Sequence, residues 1–493
     1  MKPRSISLSL ITLFASTSIG FSDTQKPNII VVLSDDQGYA DLGCSEFAKD
    51  DVKTPNLDKL AAEGVRFTQA YSTAPICNAS RAGLITGVHQ ARMGVFWYKN
   101  PGISKDYETI PESLKKAGYV TGYVGKIHYG SGSTESRDFP NNHGFDYYYG
   151  FVGGRKHYMF HDDADEKKFL ELQKNAGRKT DNPVEGEGSI AKFESLKMGS
   201  LWENKKKVSK RGLATEIFGE KAREFISENK DKPFYLQLSF NAVHNFTHQL
   251  PDSYKKAHGI TDRVKDWNPA EEEYLDWYRK GRFPNNPEGR ATYLAHLHFL
   301  DVEIGKLSKH LADLELTKNT IVIYISDNGG STPIYADNSP LRGSKYTLYE
   351  GGVRIPMIVR WPSHAVAGKV DHSVVSTLDI FPTINEAVGV KPSDDFDGKS
   401  LVPLFKSKLK STASRNLFWD SGHERAVRSG DWKYHVVTDT KDADLEMVEL
   451  IKGEFLYNLN DDPGEKKNLA KENPEKLEEM RQLYDEWKKE VTH

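Results

Sequence analysis

Four stretches of the chain are apolar without alternation: Asn28 to Leu33 (NIIVVL), Tyr119 to Val124, Phe234 to Phe240 (FYLQLSF) and Thr320 to Ile325 (TIVIYI). Such short unbroken runs predict strands covered on both faces, as in a parallel sheet between helices. Elsewhere the apolar spacing lengthens to three and four. Leu57, Leu60 and Ala61 follow Thr54-Pro55 and stop before Gly64, a helix with a capping residue, proline in its first turn and glycine past its end. A second helix is predicted from about Pro111 to Lys116, closed by Gly118. A long one runs from about Ala291 to Leu314, with Leu294, Leu297, Ile304, Leu307, Leu311 and Leu314 on one stripe. His296 and His298 fall inside it, where a structural role is expected. Alternation of strands and helices predicts an α/β domain with a mainly parallel central sheet. From about residue 400 the pattern changes to short alternating runs, RAVRSGDWKYHVV and GEFLYNL, then a helix carrying Leu477, Met480, Leu483 and Trp487. This predicts a smaller antiparallel sheet with a covering helix.

At 493 residues the chain exceeds what one hydrophobic core supports. The expected division is 1–22 as a leader, 23–400 as the large domain and 401–493 as a C-terminal α+β subdomain. The leader is read from Lys2 and Arg4 preceding an apolar run too short to span a membrane, with polar Ser22-Asp23-Thr24-Gln25 directly after it. It implies export, to a periplasm or outside the cell, with no membrane span once removed. In an exported protein two cysteines, here Cys44 and Cys77, would ordinarily suggest a disulfide, but the residues around Cys77 argue against spending it on pairing. Sixty-seven basic against 70 acidic residues leave a net charge of −3. That gives no overall field to draw nucleic acid or an anionic membrane, so any anion selectivity is local.

The strand ends carry the chemistry. Asp35-Asp36 follow the first run, Lys126 and His128 the second, His244 the third and Asp327-Asn328 the fourth. In open α/β sheets, ligands bind beyond the carboxyl ends of the strands. One acidic pair after a strand is commonly a turn cap; two pairs on one edge point to a cation. Hard oxygen donors in that number favour Ca²⁺ or Mg²⁺ over zinc. On extended chain Lys126 and His128 face the same side, Lys345 stands in the glycine-punctuated PLRGSKYTLYEGGVRIP, and Arg81 is four residues after Cys77. Cations around a metal describe a receptor for a tetrahedral anion.

PICNASRAGLITG, from Pro75 to Gly87, places a cysteine, a serine and an arginine within five residues at the predicted start of a helix. Together with DDQGYADLG, GYVGKIH, SFNAVH, SDNGG, LRGSKYTLYEGGVRIP and FLYNLNDDPGEKKNLA, it resembles the type I sulfatases of the alkaline-phosphatase-like superfamily over nearly the whole mature chain. Ala79 stands where that family's signature more often has proline.

The resemblance implies that Cys77 is oxidised to formylglycine by a formylglycine-generating or other sulfatase-maturing enzyme. Ser80 would guide that modification or support the turn. It further implies Asp35, Asp36, Asp327, Asn328 and modified Cys77 as metal ligands, with calcium the ion and magnesium the substitute. Arg81 and Lys126 would hold the hydrated aldehyde, with Asp327 as proton acceptor. His128 would assist collapse of the sulfated intermediate. His244 and Lys345 would contact sulfate and the bridging oxygen, with His244 as general acid. The implied reaction is hydrolysis of sulfate esters.

Aromatic and basic insertions, Phe151 to His161 and Asp266 to Arg282 with Trp267 and Trp277, suggest sulfated carbohydrate as substrate, with Arg155, His157 and His423 as candidate subsite residues. The rivals are a phosphoester or phosphonate monoester hydrolase of the same superfamily and a catalytically dead glycan-binding scaffold. The presence of all the cations and both histidines argues against the second. Two glycosylation triplets, at Asn78 and Asn245, fall within the candidate site and are read as chance.

Overall fold

The computed structural model describes residues 26–492, apart from 99–100, 131, 178–200, 407–414, 441–448 and scattered positions within 155–176, 262–285 and 392–394. The predicted leader lies outside the described residues, as do Arg155 and Trp267. In chain order the strands are β1 (Asn28–Ser34), β2 (Val65–Tyr71), β3 (Val120–Lys126), β4 (Tyr147–Phe151), β5 (Met159–Phe160), β6 (Leu201–Glu203), β7 (Lys206–Val208), β8 (Gly212–Leu213), β9 (Phe234–Ser239), β10 (Thr320–Ser326), β11 (Arg354–Arg360), β12 (Lys369–Ser376), β13 (Asn416–Asp420), β14 (Glu424–Ser429), β15 (Trp432–Val437) and β16 (Gly453–Asn458).

The large sheet has the order β12-β2-β11-β10-β1-β9-β3-β4-β6-β7. Its centre, β10-β1-β9-β3-β4, is parallel throughout. The apolar runs land there for the reason their pattern suggests. Along β1, Ile30 and Val32 join the core under the helices Pro55–Ala62, Ala214–Asn229 and Gly289–Asp313, whereas Ile29, Val31 and Leu33 join the core under Cys77–Thr86, Ile110–Lys116 and Ile380–Ala387. All five side chains are fully buried, each worth about 1.5–3 kcal/mol of transfer free energy. Both faces of the sheet are thus covered by helices.

One strand breaks the parallel rule. β11 runs antiparallel to both β10 and β2, so the loop that precedes it reaches the same edge as the loops that follow the parallel strands. Pairing of β11 with β2 shifts register between Ile355 and Met357, at Pro356, which has no N–H to give to the ladder.

The predicted C-terminal unit is present as a four-stranded antiparallel sheet, β13-β14-β15-β16. The helix Pro474–Val491 covers it through Met480, Tyr484, Trp487 and Val491. This sheet joins the large one through a shared core of Tyr71, Leu348, Val353, Leu417, Trp419 and Ala426, and Trp419 Nε1 donates to the Ser72 carbonyl at 2.8 Å. Among the described residues no helix is long and apolar enough to cross a membrane. Cys44 and Cys77 are both free thiols, so residue 77 is not spent on pairing. Cys44 sits instead beside Asp58, its amide donating to that carboxylate at 2.7 Å, and burial pushes its thiol up to about 12.

Candidate active site

β1 and β10 end in register, Ser34 opposite Ser326, so the next residues, Asp35-Asp36 and Asp327-Asn328, emerge side by side. The turn after β1 is held by its own side chains. Gln37 donates its amide to Ser326 Oγ at 3.1 Å and its Nε2 to the Asp41 carbonyl at 2.6 Å, and Ser34 Oγ donates to Gln37 Oε1 at 2.8 Å. Asp36 adopts φ 61° and His128 φ 53°. Aspartate and histidine are among the non-glycine residues that tolerate this left-handed region, at a cost of about 1–3 kcal/mol each. β3 continues to Lys126, two residues past its predicted end, and Gly125 allows it. At φ 110°, an added Cβ there would stand 1.9 Å from the Ser239 carbonyl oxygen of β9. His128 lies beyond the strand in its left-handed turn, so strand alternation is not what brings it beside Lys126.

Cys77 is the first residue of the helix Cys77–Thr86, whose free N-terminal amides favour an anion nearby. Its Sγ lies 3.0 Å from His128 Nδ1. Arg81, one turn on, donates Nε to Asp327 Oδ2 and Nη1 to the Lys126 carbonyl, both at 2.8 Å. Lys126 Nζ donates to Asp35 Oδ2 at 2.5 Å. From the loop before β11, Lys345 Nζ donates to Asp36 Oδ2 at 2.8 Å and lies 3.2 Å from His244 Nε2. His244 Nε2 is 3.5 Å from Asp36 Oδ2, and Asn328 Nδ2 donates to Asp36 Oδ1 at 2.8 Å. All ten strand-end, helix and loop residues expected at the site therefore meet in one cluster. His128 at 8% and His244 at 6% are its most exposed members, the other eight being at 2% or less. The two histidines mark the open side.

The electrostatics follow from burial and crowding. Burial pushes the Asp35 carboxyl well above its usual range, with Lys126 pulling against it and the Asp327 and Asp36 carboxylates adding to it. Asp327 goes the other way. Burial opposes its ionisation, but Arg81, Lys126 and Lys345 together hold it below the ordinary value. The Cys77 thiol is brought down to about 6 by His128, Lys126 and Lys345 against its own burial.

Asp35, Cys77 and Asp327 present potential ligand atoms within 4.8 Å of one another, as do Asp35, Asp36 and His244. Asp35 Oδ1 and Asn328 Oδ1 are buried with no hydrogen-bond partner among the described residues. Buried oxygens without donors are costly unless a cation or water satisfies them. The set therefore fits a divalent cation, and its predominantly oxygen donors suit a hard one.

Two candidate subsite residues can also be located. His157 is buried at 2%, stacked on Phe246 with ring centroids 5.0 Å apart and hydrogen-bonded to Gln249. His423 meets Trp97 edge-on at 4.5 Å, and Trp97 packs on Tyr98 and Tyr346 at 5.5 and 5.6 Å. That half-buried aromatic wall adjoins the cluster, because Asn78 Nδ2 donates to the Trp97 carbonyl at 2.8 Å and Lys345 Nζ lies 5.1 Å over the Tyr346 ring. Sequence reasoning passed over Trp97, Tyr98 and Tyr346. The density of aromatics in GVFWY was the only signal available.

A family model described as Sulfatase matches residues 27–390, and one described as N-sulphoglucosamine sulphohydrolase, C-terminal, matches residues 344–492. The chain is 30% identical over 518 residues to an N-acetylgalactosamine-6-O-sulfatase of Bacteroides thetaiotaomicron, covering 94% of this chain and 93% of that one. It is 30% identical over 456 residues to the N-acetylgalactosamine-6-sulfatase of Mus musculus, covering 87% and 76%. Among solved structures it is similar to Ps i-CgsB in complex with k-i-k-neocarrahexaose, with a TM-score of 0.76, 29% identity and coverage of 94% and 93%.

Proposed function

This chain belongs to the sulfatase family of alkaline-phosphatase-like fold and is a sulfuric ester hydrolase, and from that premise we propose that it removes sulfate from sulfated carbohydrate through a formylglycine at position 77. The observation that carries the reading is the meeting of Cys77, Asp35 and Asp327 within 4.8 Å of one another, ringed by Arg81, Lys126, His128, His244 and Lys345.

Asp35, Asp36, Asp327, Asn328 and residue 77 would hold a divalent ion, calcium by the character of the donors, which when bound would neutralise sulfate charge and acidify a hydroxyl beside it. A formylglycine formed at position 77 would supply, as its hydrate, one hydroxyl to attack sulfur as the alcohol leaves and a second whose proton loss would release sulfate and return the aldehyde. The remaining work belongs to side chains already in position. Arg81 holds Asp327, and Asp327 accepts the proton of the attacking hydroxyl. Lys126 orients the hydrate, and His128, 3.0 Å from the residue 77 side chain, takes the second proton. Lys345 and His244 face the leaving side. Lys345 binds a sulfate oxygen, and His244, on the open side, protonates the departing sugar oxygen. The helix N-terminus at residue 77 adds oriented amides to the anion's surroundings.

The sugar itself is received on the rim. The Trp97–Tyr98–Tyr346 wall with His423 offers ring faces and a polar edge, the composition that suits a pyranose. His157, stacked on Phe246, and Arg155, which lies outside the described residues, are the other candidate subsite residues. The carbohydrate class is supported by the relatives, which are named as sulfatases of N-acetylgalactosamine 6-sulfate. We further infer residues 1–22 as an export signal, with residues 23–400 as the catalytic unit and 401–493 as the C-terminal unit. The protein then works in a periplasm or outside the cell after a sulfatase-maturing enzyme has acted on Cys77.

The test is turnover of defined sulfated mono- and oligosaccharides beside the phosphate ester of the same alcohol, by protein made with and without a maturing enzyme. Sulfate release that depends on maturation, with phosphate release at least about a hundredfold slower, is expected. Preference for phosphate, or full activity with an unmodified thiol at position 77, would refute the reading.

A further inference from the structure

The loop that delivers Lys345 lacks regular structure between Ser339 and Tyr349, yet its ammonium must meet Asp36 and His244 within hydrogen-bonding range. Its backbone is fastened from both sides. On the catalytic side, the Lys345 amide donates to the Gly330 carbonyl at 3.1 Å and the Tyr346 amide to the Pro75 carbonyl at 2.8 Å. On the other side the acceptors are carboxylates of the C-terminal region. The Leu348 amide donates to Glu424 Oε2 at 3.2 Å, and the Glu350 amide to Glu465 Oε2 at 2.6 Å. Both carboxylates are buried, at 2% and 0%.

Each is itself held. His435 Nε2 lies 2.7 Å from Glu424 Oε2, and the His435 ring meets Tyr349 edge-on at 4.8 Å. Lys433 Nζ, fully buried, lies 3.0 Å from Glu350 Oε1 and 2.9 Å from Glu465 Oε1, and Arg342 Nη1 donates to the Glu465 carbonyl at 3.1 Å. A buried carboxylate aimed at a backbone amide is expensive for stability alone, since apolar packing serves as well or better. What it provides that packing does not is a fixed point for the chain. We propose that Glu424 and Glu465 are positioning residues for sulfate ester hydrolysis, acting through Lys345 by clamping the backbone amides of Leu348 and Glu350. The C-terminal unit is thereby a working part of the active site.

This inference rests on the sulfatase reading, and its test separates the two. Matured wild-type enzyme is assayed first on the panel of sulfated saccharides and an aryl sulfate; inactivity on all of them removes the sulfatase reading itself, and the variants are compared on a sulfate ester that the wild type hydrolyses. Glu424→Ala and Glu465→Ala are then expected to lower kcat about ten- to a hundredfold, while Glu424→Gln and Glu465→Gln, which keep an oxygen acceptor for the amide, restore most of it. The deciding measurement is the cycle with Lys345→Ala. If the clamps act through Lys345, adding either alanine substitution to Lys345→Ala costs less than about twofold more. An undiminished further loss in that background, or full activity in the alanine variants, overturns the proposal. Should the alanine variants not fold, Glu424→Asp and Glu465→Asp, which draw the carboxylate back by one methylene, enter the same cycle.

Discussion

The rim of the large sheet and the seam between the two sheets both bury carboxylates among cations, yet they use their oxygens differently. At the rim, Asp35 accepts from Lys126, Asp36 from Lys345 and Asn328, and Asp327 from Arg81 as well as the Asp36 and Asn328 amides, while Asp35 Oδ1 and Asn328 Oδ1 are left without donors among the described residues. At the seam, Glu424 and Glu465 accept from main-chain amides, and Glu350 accepts from Tyr71 and Lys433. A carboxylate bound to movable ammonium groups sets a potential that a guest can reorganise. One bound to backbone fixes where the chain lies. The first arrangement suits binding and reaction, and the second suits holding.

If the rim is the reacting half, its variants lose rate and not fold. Cys77→Ala is expected to lower kcat on an aryl sulfate by about a thousandfold or more with Tm preserved; substantial residual turnover would move the nucleophile elsewhere. His244→Ala is expected to cost about 10²–10⁴-fold, with a larger loss for sugar leaving groups than for phenols, the pattern of a missing acid. Stripping divalent ions with a chelator should abolish activity and also lower Tm. Calcium at about a hundred times its Kd should return about 2.7 kcal/mol of stability, and a Tm indifferent to calcium would count against the ligand set. Trp97→Ala sharpens the comparison from the substrate side, with KM for a sulfated oligosaccharide rising about five- to tenfold and an aryl sulfate unaffected.

The smallest effect belongs to the seam and is read in stability against pH. Burial pushes Glu465 up to about 7, with Lys433 opposing and Glu350 adding to the rise. Tyr349, Tyr457 and Arg342 are its other neighbours. The companion Glu350 is brought down to about 2 by Lys433, Arg428 and Arg354 against its burial. A raised folded-state value means that the group's stabilising contribution is complete below the ordinary glutamate value and is lost as pH rises through about 7. Glu465→Gln cannot ionise, so its Tm should gain on wild type by a few degrees between pH 5 and 8. A constant difference would remove Glu465 as the titrating group.

How far this was legible in the sequence depended on whether neighbours in space were also announced by local pattern. β1, β9 and β10 are apolar runs, and the acids and His244 follow them closely, so the strand-end rule located much of the rim. The expected fold class was likewise visible in the alternation of elements and in the change of pattern after residue 400. β11 was harder to read, because Pro356 interrupts it and its antiparallel direction leaves no mark in the residues themselves. Composition alone would have paired the two cysteines, and only the residues around Cys77 argued against it, as the free thiols bear out. The aromatic wall around Trp97 left only the weak signal of clustered aromatics and the seam carboxylates none, since each depends on residues far apart in the chain, such as Leu348 with Glu424 or Trp97 with His423.

The pairing of β1 with β10 has a consequence for how the molecule comes into being. Asn28 finds Thr320 as its partner, so the strands whose tips carry the two acidic pairs are made at opposite ends of the large domain. During synthesis the early half waits for the late half, and a chain halted before Thr320 has only half of the acidic cluster. Such a chain, lacking Asp327 and Asn328, is expected to be inactive however well its earlier strands are made.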